Sequence, residues 1–219
     1  MNKPIKFALL LSLLFVCSCT SAQKSIVWNI DNLKSIGGSE TVVLGSPKII
    51  DTDKGKAVEF DGKKDGILVD KLPLAGEGKF TLEIVFRPDA NGLKEQRFLH
   101  LQENDSNSRT LIETRLTDDK KWYLDTYIQT EKGKVALINP ANTHPVGQWY
   151  SAALVYDGQE MRHYINGVQE MSKTLEFRPL KEGKTSIGVR MNRVYWFKGA
   201  ISKIRFTKDA LKPEELLKP

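Results

Sequence analysis

Beyond residue 19 this 219-residue chain has no cysteine. Its two cysteines, Cys17 and Cys19, stand close together near the start. A domain formed downstream therefore has no disulfide, no thiol nucleophile and no thiolate-bound metal. Histidine is scarce too. His100, His144 and His163 are the three, no two at metal-ligand spacing, and H-E-x-x-H is absent, so a catalytic zinc is not expected. No G-x-S-x-G elbow offers a serine nucleophile. No helical period, internal repeat or linker composition interrupts residues 23–219, which read as one domain. Charge is nearly balanced, 33 Lys and Arg against 27 Asp and Glu. Setting aside Lys3 and Lys6 leaves 31 against 27. That excess, with no basic run interleaved with aromatics, excludes a nucleic-acid partner. It suits an anionic glycan and an ordinary soluble surface alike.

The apolar run Phe7–Val16 is too short to span a bilayer. With Lys3 and Lys6 before it, it reads as the h-region of an export signal over residues 1–22. Two cleavage readings compete. Val16-Cys17-Ser18-Cys19 resembles a lipobox, with cleavage before Cys19 and lipid on its thiol, although Cys17 is unusual at its position. Thr20-Ser21-Ala22 supplies small residues for ordinary cleavage before Gln23. Both send the protein out of the cytoplasm. The first places it in the cell envelope, where its only membrane attachment is the lipid. The second makes it periplasmic or secreted.

What the chain does have is short strands with turn signals every ten residues or so, the pattern of an antiparallel β-sandwich. Phe80, Leu82, Ile84 and Phe86 alternate with Thr81, Glu83, Val85 and Arg87, which marks a strand with two different faces. Trp149–Gly167 reads as two strands joined at Asp157-Gly158 and closed at Asn166-Gly167, turns that need φ > 0. Lys212–Leu217 is at most a short terminal helical turn. Asn139–Gly147, with Pro140, His144 and Pro145, is the longest of the polar loops.

The hairpin resembles the "W-x-x-x-A-x-x-Y-D-G" and "Y-x-N-G" strands of LamG-like (laminin G-like) domains in the concanavalin A-like lectin/glucanase superfamily. Ala57–Gly62 is similar to that family's "A-V-x-F-D-G", and Phe80–Pro88 to its "F-T-L-E-x-W-F-x-P", with Val85 where Trp is usual. Thr185–Gly188 and Phe197–Ile201 resemble its closing strands. The resemblance spans roughly residues 26–216 and implies an all-β, two-sheet antiparallel jelly roll with a concave, often sugar-binding sheet. It says little about function, because one fold hosts many. Such domains often bind calcium. Here the positions after "G-x-I" are Ser202 and Lys203 rather than acidic, and no clustered acidic loop argues for the ion. Calcium stays open, and no other cofactor is expected.

Two polar stripes carry the candidate site. In Arg109–Leu116, residues Arg109, Glu113 and Arg115 share one side with Leu111. In Lys121–Gln129, Tyr123, Asp125, Tyr127 and Gln129 share one side. The opposite sides, Thr110, Ile112, Thr114 and Leu116 with Trp122, Leu124, Thr126 and Ile128, should pack into the sandwich. Arg and Tyr suit carboxylate or sulfate and flat sugar faces. A cross-strand salt-bridge ladder is the competing explanation. The "Y-x-N-G" resemblance puts Tyr164 in the core and leaves His163 on the polar face. His100 should share a face with Phe98 and Gln102. His144 belongs to the rim, as does Arg190, which with Arg193 precedes Tyr195-Trp196. An exposed aromatic there would be a sugar platform, and a core Trp196 would not.

Three functions are compatible with these residues. The first is a non-catalytic module binding a polysaccharide or other glycan. The second is an enzyme. A lyase would draw on Arg115, His144, His163 and Tyr127, and a glycosidase on Glu113 and Asp125 if their register brings the carboxylates together. The third is an envelope protein-interaction domain that binds no sugar. The expectation at the start of the chain is directly testable. Intact mass of the mature protein should show a lipid-bearing Cys19, and a soluble product beginning at Gln23 would exclude it.

Overall fold

The side-chain alternation around Phe86 builds the first of two sheets. In the computed structural model the described residues are 24–219; the expected export signal over residues 1–22, with Cys19, lies outside them. In chain order the strands are β1 (Ser25–Asn29), β2 (Ser35–Ile36), β3 (Ser39–Leu44), β4 (Lys48–Thr52), β5 (Gly55–Asp61), β6 (Gly66–Val69), β7 (Phe80–Pro88), β8 (Glu95–Glu103) and β9 (Arg109–Leu116). They continue as β10 (Lys121–Gln129), β11 (Lys134–Ile138), β12 (His144–Pro145), β13 (Tyr150–Tyr156), β14 (Glu160–Ile165), β15 (Val168–Thr174), β16 (Gly183–Ile187) and β17 (Lys198–Thr207). A 3₁₀ turn at Pro213–Glu215 follows.

The first sheet runs β15-β14-β13-β7-β17-β5-β4, with β1 also on β17. The second runs β11-β10-β9-β8-β16-β6-β3-β2, with β12 on β10. Neighbouring strands are antiparallel in both. The fold is the expected all-β sandwich. Phe80, Leu82, Ile84 and Phe86 are buried between the sheets. Phe86 packs against Phe98 and Trp122 of the opposite sheet, ring centroids 4.5 and 5.2 Å away. Such aromatic contacts add about 0.5–1.5 kcal/mol each beyond their burial. The hairpin turns form as expected. Asn166 and Gly167 take φ of 52° and 83°, and the Asn166 side-chain oxygen accepts the Ser151 N–H at 2.9 Å.

The outer face of the first sheet is not open. Thr81, Glu83 and Val85 point away from the core yet are buried, because the C-terminal segment 209–217 lies across them. Thr81 Oγ1 donates to the Asp209 carbonyl and accepts the Leu211 N–H, at 2.8 and 2.9 Å. Glu83 accepts the Leu217 N–H at 2.7 Å. Leu216 seals a small second cluster with Ala153, Val155 and Tyr164.

The strap gives Glu83 its importance. Its carboxylate is 1% exposed and is held by the Arg205 guanidinium, whose Nη2 donates at 2.9 Å and whose Nε also bonds it. Removing one partner of a buried pair strands the other charge. Arg205→Ala should cost about 3–5 kcal/mol in urea unfolding. Replacing Glu83 and Arg205 together by Met should cost much less, and equal losses would contradict this account.

Candidate functional site

With one outer face strapped, the outer face of the second sheet is where a polar hollow forms. β9 and β10 pair so that Glu113 faces Asp125, Arg115 faces Tyr123 and Leu111 faces Tyr127. Their other sides, with Ile112, Trp122, Leu124 and Ile128, fill the core. The hollow encloses about 290 Å3 and is lined by Arg97, Arg109, Leu111, Glu113, Arg115, Asp125, Tyr127, Ala136 and Arg190. Ala136 lies opposite Tyr127 on β11, and its small side chain leaves the Tyr127 side of the hollow open.

Half of the charge here is spent internally. Arg115 holds Asp125 through Nε and Nη2, at 2.8 and 2.6 Å, and also pairs with Glu95. Arg97 bonds Glu95 at 2.8 Å. Its Nε sits 2.9 Å from Glu113 Oε2 but is misaligned, and both atoms lack a formal hydrogen bond. Arg109 and Arg190 form no ion pair among the described residues. Arg109 donates to the Asn107 carbonyl at 2.7 Å and lies over the Tyr127 ring, while its buried Nε is unpartnered. Four guanidiniums thus face three carboxylates, and the two unspent ones line the hollow.

Burial sets the protonation states. It pushes the Glu113 carboxyl up to about 7, with the Asp125 carboxylate adding to the effect and Arg97 and Arg115 opposing it. Asp125 is raised for the same leading reason. His100 is lowered to about 3 by burial and then by Arg190, Arg109 and Arg97. The neutral ring accepts the Met191 N–H at Nδ1, 3.0 Å away, so its proton is on Nε2, which is buried without a partner.

Of the residues singled out from the sequence, Arg109, Glu113, Arg115, Asp125, Tyr127 and Arg190 come together around the hollow. Tyr123 shares their face, one position beyond its lining. His163 and Tyr164 exchange the places expected of them. β14 pairs with β13 so that His163 faces Leu154 and Tyr164 faces Ala153, and Leu154 points into the core. His163 is therefore 1% exposed between the sheets, bonded through Nδ1 to Thr126 Oγ1 at 3.0 Å and lowered to about 4 by burial. Tyr164 is buried beneath the C-terminal strap instead.

His144 is not at the rim of the hollow. Its place in β12 opposite Trp122 turns it toward the flank between the sheets. There it packs on Trp122 and Tyr150 and bonds Glu170 of β15 at 2.7 Å. Trp196 is half-buried and Tyr195 is exposed.

Arg97 was not apparent from the sequence, and neither was the outward turn of His100 without Phe98. A bulge in β8 between Arg97 and Leu99 inserts Phe98 as an extra residue. Phe98 turns into the core, and Arg97 turns outward opposite Glu113. Strict alternation sends Arg97 inward. A bulge leaves no reliable mark in one sequence.

A second acidic group, Asp61 and Asp65, does not favour calcium. Asp61 Oδ1 accepts the Lys63, Lys64 and Asp65 amides, and Asp65 accepts those of Ser46 and Asp61. These carboxylates serve as loop caps. Among the described residues no group of three or more His, Cys, Asp or Glu is arranged to hold a metal.

A family model described as the concanavalin A-like lectin/glucanases superfamily matches residues 61–217. No curated protein matches the chain. Among solved structures it is similar to domain 4 of AbnA, an extracellular GH43 arabinanase from Geobacillus stearothermophilus, in complex with arabinotriose. The TM-score is 0.67 at 18% identity, covering 88% of this chain and 97% of that one. It is also similar to the binding domain of Paraclostridial Mosquitocidal Protein 1, with TM-score 0.67, 16% identity and 88% and 50% coverage. The botulinum neurotoxin serotype D binding domain matches at 0.64, 14%, 87% and 49%. The chain spans about half the length of these toxin domains. At such identities the likeness is one of fold.

Glu113 gives this site a pH signature. A carboxyl whose folded value, about 7, exceeds its ordinary 4.5 is held protonated more tightly by the native state. Its contribution to stability is therefore lost as pH rises from about 4.5 to about 7, by on the order of 3 kcal/mol. Glu113→Gln, neutral throughout, should match the wild type in urea melts near pH 4.5 and exceed it near pH 8. The buried histidines titrate in both proteins and cancel in the difference. Parallel stability curves for the two proteins would refute the assignment.

Proposed function

The chain belongs to the concanavalin A-like lectin/glucanase superfamily, and we propose that it is an exported, lipid-anchored envelope protein that binds a carboxylated or sulfated glycan without turning it over. The observation that carries this reading is the pair Arg109 and Arg190, two guanidiniums without carboxylate partners on the wall of an open hollow. A hollow lined by four guanidiniums and two carboxylates, one of them Glu113 with its carboxyl pushed up to about 7, favours a ligand that brings its own negative charge. Guanidinium matches carboxylate and sulfate oxygens with paired, charge-assisted hydrogen bonds. Tyr127, beneath Arg109, adds a flat apolar surface of the kind that meets the C–H face of a pyranose. The arabinotriose complex of a similarly folded domain supports a saccharide as ligand. Export and the anchor rest on the first 22 residues alone.

A glycan array carrying neutral and acidic polymers, run beside an assay for unsaturated or hydrolysed products, tests the proposal. Acidic glycans should bind, more weakly as salt rises, and no product should appear. Arg190→Ala or Arg109→Ala should weaken binding by roughly 1.5–3 kcal/mol, with Lys restoring it only in part. The Arg190 change should leave the melting temperature nearly unaltered. Arg115→Ala should instead lower stability, since Arg115 anchors Asp125 and Glu95. Binding that survives loss of both Arg109 and Arg190 would sink the proposal.

A further inference from the structure

We infer that the Tyr195 ring forms a second subsite beside the arginine hollow, where the next pyranose of an acidic oligosaccharide stacks; this rests on the glycan-binding reading above. Tyr195 is 38% exposed, and the Arg97 guanidinium lies over its ring, 3.7 Å from the centroid. One face is thereby covered, so the exposed area lies on the other face and the edge. Arg97 itself lines the hollow and is fixed from behind by Glu95 and Glu113. Only a guanidinium thickness therefore separates the ring from the hollow.

The ring is also held in a costly position. Tyr195 has φ of 59° and Arg193 of 61°, left-handed values that are unfavourable for non-glycine residues and persist only where the surroundings impose them. The surroundings here are specific. The Tyr195 carbonyl accepts the Arg97 N–H at 2.9 Å, and the Arg193 N–H reaches the Arg190 carbonyl at 2.8 Å. The Met191 amide is bound by His100, and Phe197 is buried in the core. An exposed aromatic side chain on a backbone fixed in this way loses little freedom when a ligand meets it. The same turn carries Arg190, so one loop presents a charged group and a flat apolar one side by side. A uronate oligomer repeats that combination, with a carboxylate on one ring and a C–H face on the next.

Titration calorimetry with galacturonic acid and with trigalacturonate tests the subsite on the full mature chain. Tyr195→Ala should weaken trigalacturonate roughly fivefold to tenfold and leave the monosaccharide unchanged. Tyr195→Phe, which keeps the ring, should bind both like the wild type. If the alanine variant does not fold, Tyr195→Leu keeps bulk without a flat ring and carries the same expectation. Unchanged trigalacturonate binding by a folded alanine or leucine variant overturns the subsite and leaves the hollow standing. Equal weakening of both ligands also overturns it, because Tyr195 then acts only by positioning Arg97. Wild-type protein that binds neither ligand overturns this inference, whereas another acidic glycan bound by the wild type and lost in Arg190→Ala keeps the reading beneath it intact.

Discussion

The contact of Phe86 with Phe98 and Trp122 is the joint on which the rest of the molecule turns. Phe86 comes from the first sheet, and its two partners come from neighbouring parts of the second. For Phe98 to reach it, β8 must bulge, and the bulge reverses the side on which Arg97 emerges. The demand of the core for one more aromatic ring thus places a guanidinium outside. That guanidinium meets Glu113 and Glu95, and Tyr195 stacks on it. A packing requirement on one side of the strand has become an electrostatic arrangement on the other.

The two sheets treat their outer faces differently, and this decides where a ligand could be met. On the first sheet Glu83, Thr81 and Ser151 are hydrogen-bonded by the C-terminal strap. Their polarity is consumed by backbone groups that would otherwise be buried without partners. On the second sheet no described segment crosses the hollow's arginines, and Arg109 and Arg190 stay half-exposed. Similar polar stripes on the two sheets therefore have opposite fates.

Within the hollow, the ion-pair ladder and the binding surface are parts of one arrangement. Arg115 and Arg97 are tied to carboxylates, and burial raises the Glu113 and Asp125 carboxyls while these two guanidiniums oppose the rise. The raised Glu113 carboxyl and the Arg115–Asp125 pair together leave little unbalanced negative charge on the wall. Arg109 and Arg190, left without such partners, supply the net positive character. Holding the paired side chains rigid also reduces the conformational entropy a ligand would have to remove.

Much of this was legible in the residues alone. The period-two alternation of Phe80–Phe86 and of the strands Arg109–Leu116 and Lys121–Gln129 determined which side chains face the core, because a strand has only two faces. The turn residues Asn166 and Gly167 determined the turn from β14 into β15, because few residues tolerate their φ. Four decisions came only with the tertiary structure. The bulge at Phe98, the register that sends His163 inward and Tyr164 outward, and the flank position of His144 all depend on partners distant in the chain. So does the strap, which hides one polar face and leaves the other open. Local sequence specifies the period of a strand. The packing of both sheets decides its register and which face meets water.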